Sequence, residues 1–560
     1  MENTSYTVCR QLVALCVSHG VRRVVLSPGS RNAPLLVAFA REKAIEHHVV
    51  VDERVAGFVA LGMATRSDEP VALVCTSGTA LLNYAPAVAE AYYRHVPLIV
   101  ISADRPDEWI DQDDSQTIRQ QGVLDAIVKQ SYHLPTRNDD TSLWHARRLI
   151  NDALLQANAP CHGPVHINVP LGGNLCEVTD VEPEMPVAVE DMRPVQQLSA
   201  TDAERLASRI SVAQKVMVLA TMSNPSSVLQ EALSLLARLP QVVVLTESVA
   251  NLHDEAFIPT IDRVLTAIDN SEKPDFAPQL LITLGGAPVS RMVKEFLRQY
   301  VPTEHWRIGC ENRVIDTMQS LTRRLQVDSA SLLSQIAPLC APATSQYAAL
   351  WSEREVLATA LHNRIVDDAP WCDLRAFARL LPAIPPHTVL HLSNGTSIRY
   401  AQLFDTPQIA ASYCNRGVSG IDGSTSTALG ASMVDEECHL LITGDMSFGY
   451  DTGALATGLA SPRFKIVVMD NGGGGIFRFI KGPSDLPELE ECFEVQRRQP
   501  IEGYAHLHGY KYFQADCEDT LKSVLPAFFA ENEQPAILAI TTPAEINASV
   551  LRHYMRRARE

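Results

Sequence analysis

Strand-like runs of β-branched and aliphatic residues alternate with helical patterns in three successive blocks, and no other feature of the sequence limits the fold as strongly. The first block carries VRRVVLS (21–27) followed by RNAPLLVAFAREKA, VALVCTS (71–77) followed by a helical pattern to about Tyr93, and PLIVISA (97–103). The second carries KVMVLA (215–220), QVVVLTES (241–248) and QLLITLGG (279–286), and the third HTVLHLSNG (387–395), CHLLITGD (438–445), KIVVMDNGG (465–473) and AILAITTP (536–543). Such alternation predicts an α/β chain of three doubly wound domains with mostly parallel sheets. Residues 181–197, rich in Pro and acid, and 337–346 read as the linkers between them. No repeat of 20–50 residues and no low-complexity tract is present, which excludes solenoids and propellers.

Length agrees with this division, since 560 residues leave room for about three or four domains of ordinary size. The 47 Lys+Arg against 65 Asp+Glu give a formal charge of −18. That field repels phosphate backbones and anionic lipid, so neither nucleic acid nor a membrane is an expected partner. An anionic small molecule would need a local arginine cluster. The 12 cysteines include no C-x-x-C, which points to free thiols rather than a zinc site or a disulfide scaffold. No basic-then-apolar leader opens the sequence and no apolar run approaches 18 residues, so a cytoplasmic location is expected.

Chemistry concentrates in the third block. One strand ends in Gly444-Asp445, a helical stretch is expected from about Asp451, and a second strand ends in Asp470-Asn471 before Gly472 to Gly475. Ligands of open α/β sheets bind at the carboxyl ends of strands. Adjacent strands here would bring together a carboxylate, an amide oxygen and glycine backbone. Such a donor set suits Mg²⁺ completed by phosphate oxygens and water better than zinc. Singly, the glycines read as turn residues and Asp445 as a helix cap. The histidines form no H-E-x-x-H pattern, and no G-x-S-x-G elbow is present.

Gly444-Asp445 followed by Asn471 resembles the Gly-Asp…Asn signature of thiamine diphosphate enzymes. The resemblance implies that Asp445, Asn471 and the Gly473 carbonyl hold a divalent metal, Mg²⁺ or Mn²⁺, on the cofactor diphosphate. It also implies that Glu53, in VVVDERVAGFVALGMA, is the acid on the aminopyrimidine ring. LSPGSRNAP (26–34), VDERVAGFVALG (51–62), CTSGTALLNYAPAVAEA (75–91), ADRPDEWIDQDDSQTIRQ (103–120) and NRGVSGIDGSTSTALG (415–430) narrow the likeness. They are similar to one branch, the 2-succinyl-5-enolpyruvyl-6-hydroxy-3-cyclohexene-1-carboxylate synthases of menaquinone biosynthesis.

That branch implies decarboxylation of 2-oxoglutarate and conjugate addition of the succinyl unit to isochorismate, in a homodimer or dimer of dimers. Arg31, Arg105, Arg399 and Arg416 would pair the substrate carboxylates, Ser30 and Gln116 would hydrogen-bond them, and Ile421 would prop the bent cofactor. Each arginine alone reads as half of a surface ion pair, Ile421 as core and Glu53 as a helix-start acid. The implied domains are pyrimidine-binding (1–180), central (195–345) and diphosphate-binding (355–560). The sequence departs from the branch at Asp470, where many relatives have a first Asn, and at Gly395, where many have a serine. Ser290-Arg291 stands for a Lys-Arg pair, and 168–175 lacks a Phe-Arg-Glu-Pro stretch. A simpler carboligase of the same superfamily, or a noncatalytic subunit with its fold, remains as an alternative.

Overall fold

The computed structural model describes residues 2–193, 196–480, 482–496 and 498–556. Residues 194 and 195 of the expected 181–197 linker lie outside the described residues, and the second of them is where the central domain is expected to begin. By its internal contacts the chain divides into two compact units: Met1–Arg193 with Gly417–Glu436 and Tyr450–Phe464, and Pro194–Arg416 with Glu437–Gly449 and Lys465–Glu560.

The first unit is built on a six-stranded sheet in the spatial order Glu46–Val49, Arg23–Leu26, Val71–Cys75, Leu98–Asp104, Val165–Pro170, Ser131–His133. Every pairing in it is parallel. Its central strands are buried on both faces, which is why they read as unbroken apolar runs. A short antiparallel pair, Glu2–Thr4 with Val178–Asp180, ties the two ends of this block together. Helix Glu53–Ser67 is capped by the Asp52 carboxylate, which accepts from the N–H of Arg54 and Val55 at 3.0 and 3.3 Å. It lies against helix Ser424–Ser432 at backbone distance. A Cβ added at Gly62 would stand 2.0 Å from the Thr427 carbonyl oxygen, and one at Gly430 would stand 2.0 Å from that of Val59. Only glycine permits this approach.

The second unit contains two six-stranded sheets. One runs Phe257–Ile258, Val242–Thr246, Val216–Ala220, Leu280–Leu284, Glu304–Gly309, Arg323–Gln326, all parallel. The other runs Ala411–Tyr413, Val389–Leu392, His439–Gly444, Phe464–Asp470, Ala536–Thr541, Lys511–Ala515. Counted within its own block, this last order is the same as that of the first sheet, whereas the middle sheet has the simpler doubly wound order that reverses once at its first strand. Side-chain caps start the middle helices: Ser226 accepts from Leu229 N at 3.2 Å and Ser290 from Val293 N at 3.0 Å. Helix Asp445–Tyr450 begins at the strand end itself, earlier than the expected start near Asp451, and a 3₁₀ segment follows at Thr452–Thr457.

All 12 cysteines are free, with Cys9, Cys16, Cys75, Cys372 and Cys414 buried. Among the described residues no helix is long and apolar enough to cross a membrane.

Candidate active site

The strands ending in Gly444 and Asp470 are neighbours, which meets the condition for Asp445 and Asn471 to come together. Asp445, 1% exposed, accepts from Gly472 N at 2.8 Å through one oxygen and from Met446 N at 2.7 Å through the other. Burial pushes its carboxyl up to about 7 against the pull of the Met446, Gly472 and Gly473 amides, with Asp470 adding to the rise. Asn471 is 7% exposed and donates through Nδ2 to Asp373 at 3.2 Å, while its Oδ1 has no hydrogen-bond partner. Asp373 also accepts from Thr542 Oγ1 at 2.6 Å, and its own N–H donates to Asn547 at 2.7 Å. This network turns the Asn471 amide so that its nitrogen faces Asp373 and its oxygen is left free. Gly473 has φ +147°, and a Cβ there would meet the Glu494 carbonyl oxygen at 2.5 Å. A buried acid surrounded by neutral donors, an orphaned amide oxygen and a glycine turn form a donor set that a divalent cation completes. Asp470, at the position of the departure, accepts from Arg498 at 2.9 Å through Oδ2, while its Oδ1 is buried without a hydrogen-bond partner.

Arg399 and Arg416 belong to the same unit. Arg416, 7% exposed, donates to Asn394 Oδ1 at 3.0 Å and to the Pro288 carbonyl at 3.3 Å, and its Nε is buried without an acceptor. Arg399 donates to the Gly395 carbonyl, and burial first and Arg416 second hold its guanidinium below the ordinary value. Among the described residues neither forms an ion pair, which removes the surface-pair alternative for both. Gly395 has φ +100° at the start of helix Thr396–Ala401, a conformation that favours glycine. Of its two neighbours with hydroxyls, Ser397 is buried and accepts from Ser393 at 3.4 Å, and Thr396 stays half-buried. Ser290 is occupied by Asp262 and by its helix, and Arg291 is 69% exposed in a 2.6 Å pair with Glu295.

In the first unit the expected residues gather along the carboxyl edge of the sheet, with Ile421 on a separate loop. Glu53 opens its helix, and its carboxylate makes no hydrogen bond or ion pair among the described residues. Ser30 is exposed and follows strand Arg23–Leu26. Arg31 donates to the Leu171 carbonyl at 2.9 Å, and burial and then Arg105 hold its guanidinium below the ordinary value. Arg105 differs from the other three arginines: it pairs with Asp114 at 2.7 Å and donates to Ser115 O at 2.8 Å, so the surface-pair reading holds for its present partner. Gln116 is exposed, with φ +55°, and its backbone lies over Gly78. Ile421 is 40% exposed, which rules out the core reading. Its loop is held by Glu90, a buried acid that accepts from Gly417 N at 2.8 Å and Val418 N at 2.7 Å. Sequence reasoning missed Glu90 and Asp373 because their partners lie far along the chain, and an acid inside a helix or at its start carries no signal of such partners.

Three parallel doubly wound layers and a Gly-Asp…Asn strand pair define a thiamine diphosphate enzyme. In agreement, residues 6–123 match the family described as "Thiamine pyrophosphate enzyme, N-terminal TPP binding domain". The chain is 42% identical over 557 residues to a 2-succinyl-5-enolpyruvyl-6-hydroxy-3-cyclohexene-1-carboxylate synthase of Porphyromonas gingivalis, covering 97% of this chain and 96% of the relative. It is 38% identical over 573 residues to that of Christiangramia forsetii, covering 99% of each, and 34% identical to that of Bacteroides thetaiotaomicron over 98% of each. The chain belongs to the 2-succinyl-5-enolpyruvyl-6-hydroxy-3-cyclohexene-1-carboxylate synthase family.

Proposed function

We propose that the protein decarboxylates 2-oxoglutarate and adds the succinyl unit to isochorismate, giving 2-succinyl-5-enolpyruvyl-6-hydroxy-3-cyclohexene-1-carboxylate for menaquinone biosynthesis in the cytoplasm. The observation that carries this reading is the identity with synthases of that name along essentially the whole chain. Bound thiamine diphosphate supplies the means of turning a 2-oxoacid carbonyl carbon into a nucleophile. Asp445, Asn471 and the Gly473 carbonyl hold Mg²⁺ or Mn²⁺ at its diphosphate, a role supported by the orphaned Asn471 Oδ1. Glu53 holds a proton at its carboxyl oxygen against the aminopyrimidine ring, a role supported by its unengaged carboxylate. Ile421 supplies the apolar prop, and its exposure supports that role.

Both substrates carry more than one carboxylate. Arg31, Arg399 and Arg416, each without a carboxylate partner among the described residues, are suited to receive them. Arg105 would exchange Asp114 for substrate, with Ser30 and Gln116 adding neutral hydrogen bonds. The three sheets correspond in this reading to pyrimidine-binding, central and diphosphate-binding domains at 1–180, 195–345 and 355–560. The working form is a homodimer or a dimer of dimers, with Glu53 of one subunit serving a cofactor held by another. The test is incubation with 2-oxoglutarate, isochorismate, thiamine diphosphate and Mg²⁺, followed by mass spectrometry of the product. Pyruvate consumed in preference to 2-oxoglutarate would assign the chain to a simpler carboligase, and absence of turnover with any 2-oxoacid would refute the catalytic reading.

A further inference from the structure

We infer that Lys294 is a third cation of the cluster begun by Arg399 and Arg416, and that its ammonium group contacts a carboxylate of one of the two substrates. Lys294 lies one turn into helix Arg291–Gln299, whose side chains lean back toward the Ser290 cap. Its Nζ donates to the Pro288 carbonyl at 3.4 Å, the same oxygen that Arg416 Nη2 reaches at 3.3 Å. Two cations from distant segments therefore share one acceptor. Electrostatic neighbours of Lys294 are Arg416, Arg298 and Arg399 on the positive side and Glu247 and Asp262 on the negative.

Neither acid compensates the cluster directly. Both Glu247 oxygens are taken up by backbone, accepting from Val289 N at 2.7 and 2.9 Å and from Ser290 N at 2.8 Å, and Asp262 accepts from the Ser290 hydroxyl. Among the described residues Lys294, Arg399 and Arg416 have no carboxylate within ion-pair distance, and the Arg416 Nε is buried without any acceptor. Like charges brought together and partly desolvated are unfavourable unless an anion joins them. A lysine serving only to cap a helix-flanking carbonyl could turn to solvent instead. Arg291, one turn earlier, is engaged with Glu295 and leaves this place to Lys294.

The inference rests on the function proposed above, and the experiment separates the two. Steady-state kinetics of the holoenzyme are measured for wild type, Lys294→Met and Lys294→Arg, with calorimetric titration of isochorismate into each holoenzyme in the absence of any 2-oxoacid. Lys294→Met, which keeps the apolar stem, should raise KM for one of the two substrates about tenfold or more while thiamine diphosphate affinity stays within about twofold. Lys294→Arg should recover most of the loss. The substrate whose KM moves identifies the carboxylate, and a weakened calorimetric affinity accompanies the change if it is isochorismate. Wild-type turnover with both KM values unchanged in Lys294→Met overturns the inference alone. Wild-type failure to consume either substrate overturns the functional reading and the inference with it.

Discussion

Asp445 receives its hydrogen bonds from backbone N–H groups, so Asp445→Ala removes a carboxyl group from the strand end without breaking the Asp373–Asn471–Thr542 side-chain network. Thiamine diphosphate affinity in the presence of Mg²⁺ should fall by about two orders of magnitude or more in a fluorescence titration, with the cooperative unfolding transition retained. Glu247 supports a prediction of opposite kind. Burial pushes its carboxyl up to about 7, the backbone bonds from Ser290 and Val289 only partly offsetting this. Between its ordinary value of 4.5 and about 7 the folded protein therefore binds more protons here than the unfolded chain, and stability is lost as pH rises through that window. Glu247→Gln cannot titrate, so its urea midpoint should fall less steeply than wild type from pH 5 to 7; parallel slopes would contradict this. Asp445 and Asn471 could be singled out because each stands at the end of an apolar strand run, whereas Glu53 stood out only through the family resemblance, since alone it reads as a helix-start acid. Glu247 and Lys294 gave no such sign, since their meaning comes from side chains that only the folded chain brings together.

Helix Glu53–Ser67 and helix Ser424–Ser432 meet through glycines, and that contact sets opposite outcomes for one kind of substitution. Gly62→Ala drives a methyl into the Thr427 carbonyl and should cost about 2–4 kcal/mol as the helices separate. Gly503→Ala, on an exposed face of helix Ile501–Leu507 with only Pro500 at 3.8 Å, should instead stabilise by about 0.5–1 kcal/mol through helix propensity. Chemical denaturation of the two variants beside wild type checks both signs. The same elements show how far the sequence could be read. The interior strands Val71–Cys75, Val242–Thr246 and Phe464–Asp470 stood out because burial on two faces demands unbroken apolar runs. The edge strand Glu46–Val49, with sequence EHHV and mostly exposed, and the edge strand Lys511–Ala515 did not, because one open side relaxes that demand. The glycines at 62 and 430 sat inside helical patterns where propensity alone argues against them, and their reason is the neighbouring helix.

At the scale of the whole molecule, the homodimer proposed above would set Glu53 of one subunit against a cofactor bound by Asp445 of another, and the two residues could then be separated genetically. In the roles proposed above, Glu53→Gln would preserve shape but could not hold and release the proton, and Asp445→Ala could not retain the metal, so each variant alone should be nearly inactive. In a hybrid dimer both lesions fall in one site, and the other site is formed from an intact Glu53 and an intact Asp445. Random reassociation makes about half of the dimers hybrids with one working site each, so a mixture of the two inactive proteins should recover roughly one quarter of wild-type activity. Differently tagged subunits, co-purified after exchange, establish that hybrids have formed. Recovery near that level supports a site shared between subunits. Confirmed exchange with activity still at the parental background would mean that Glu53 and Asp445 serve one cofactor within a single chain, and the dimer would then have no part in completing the site.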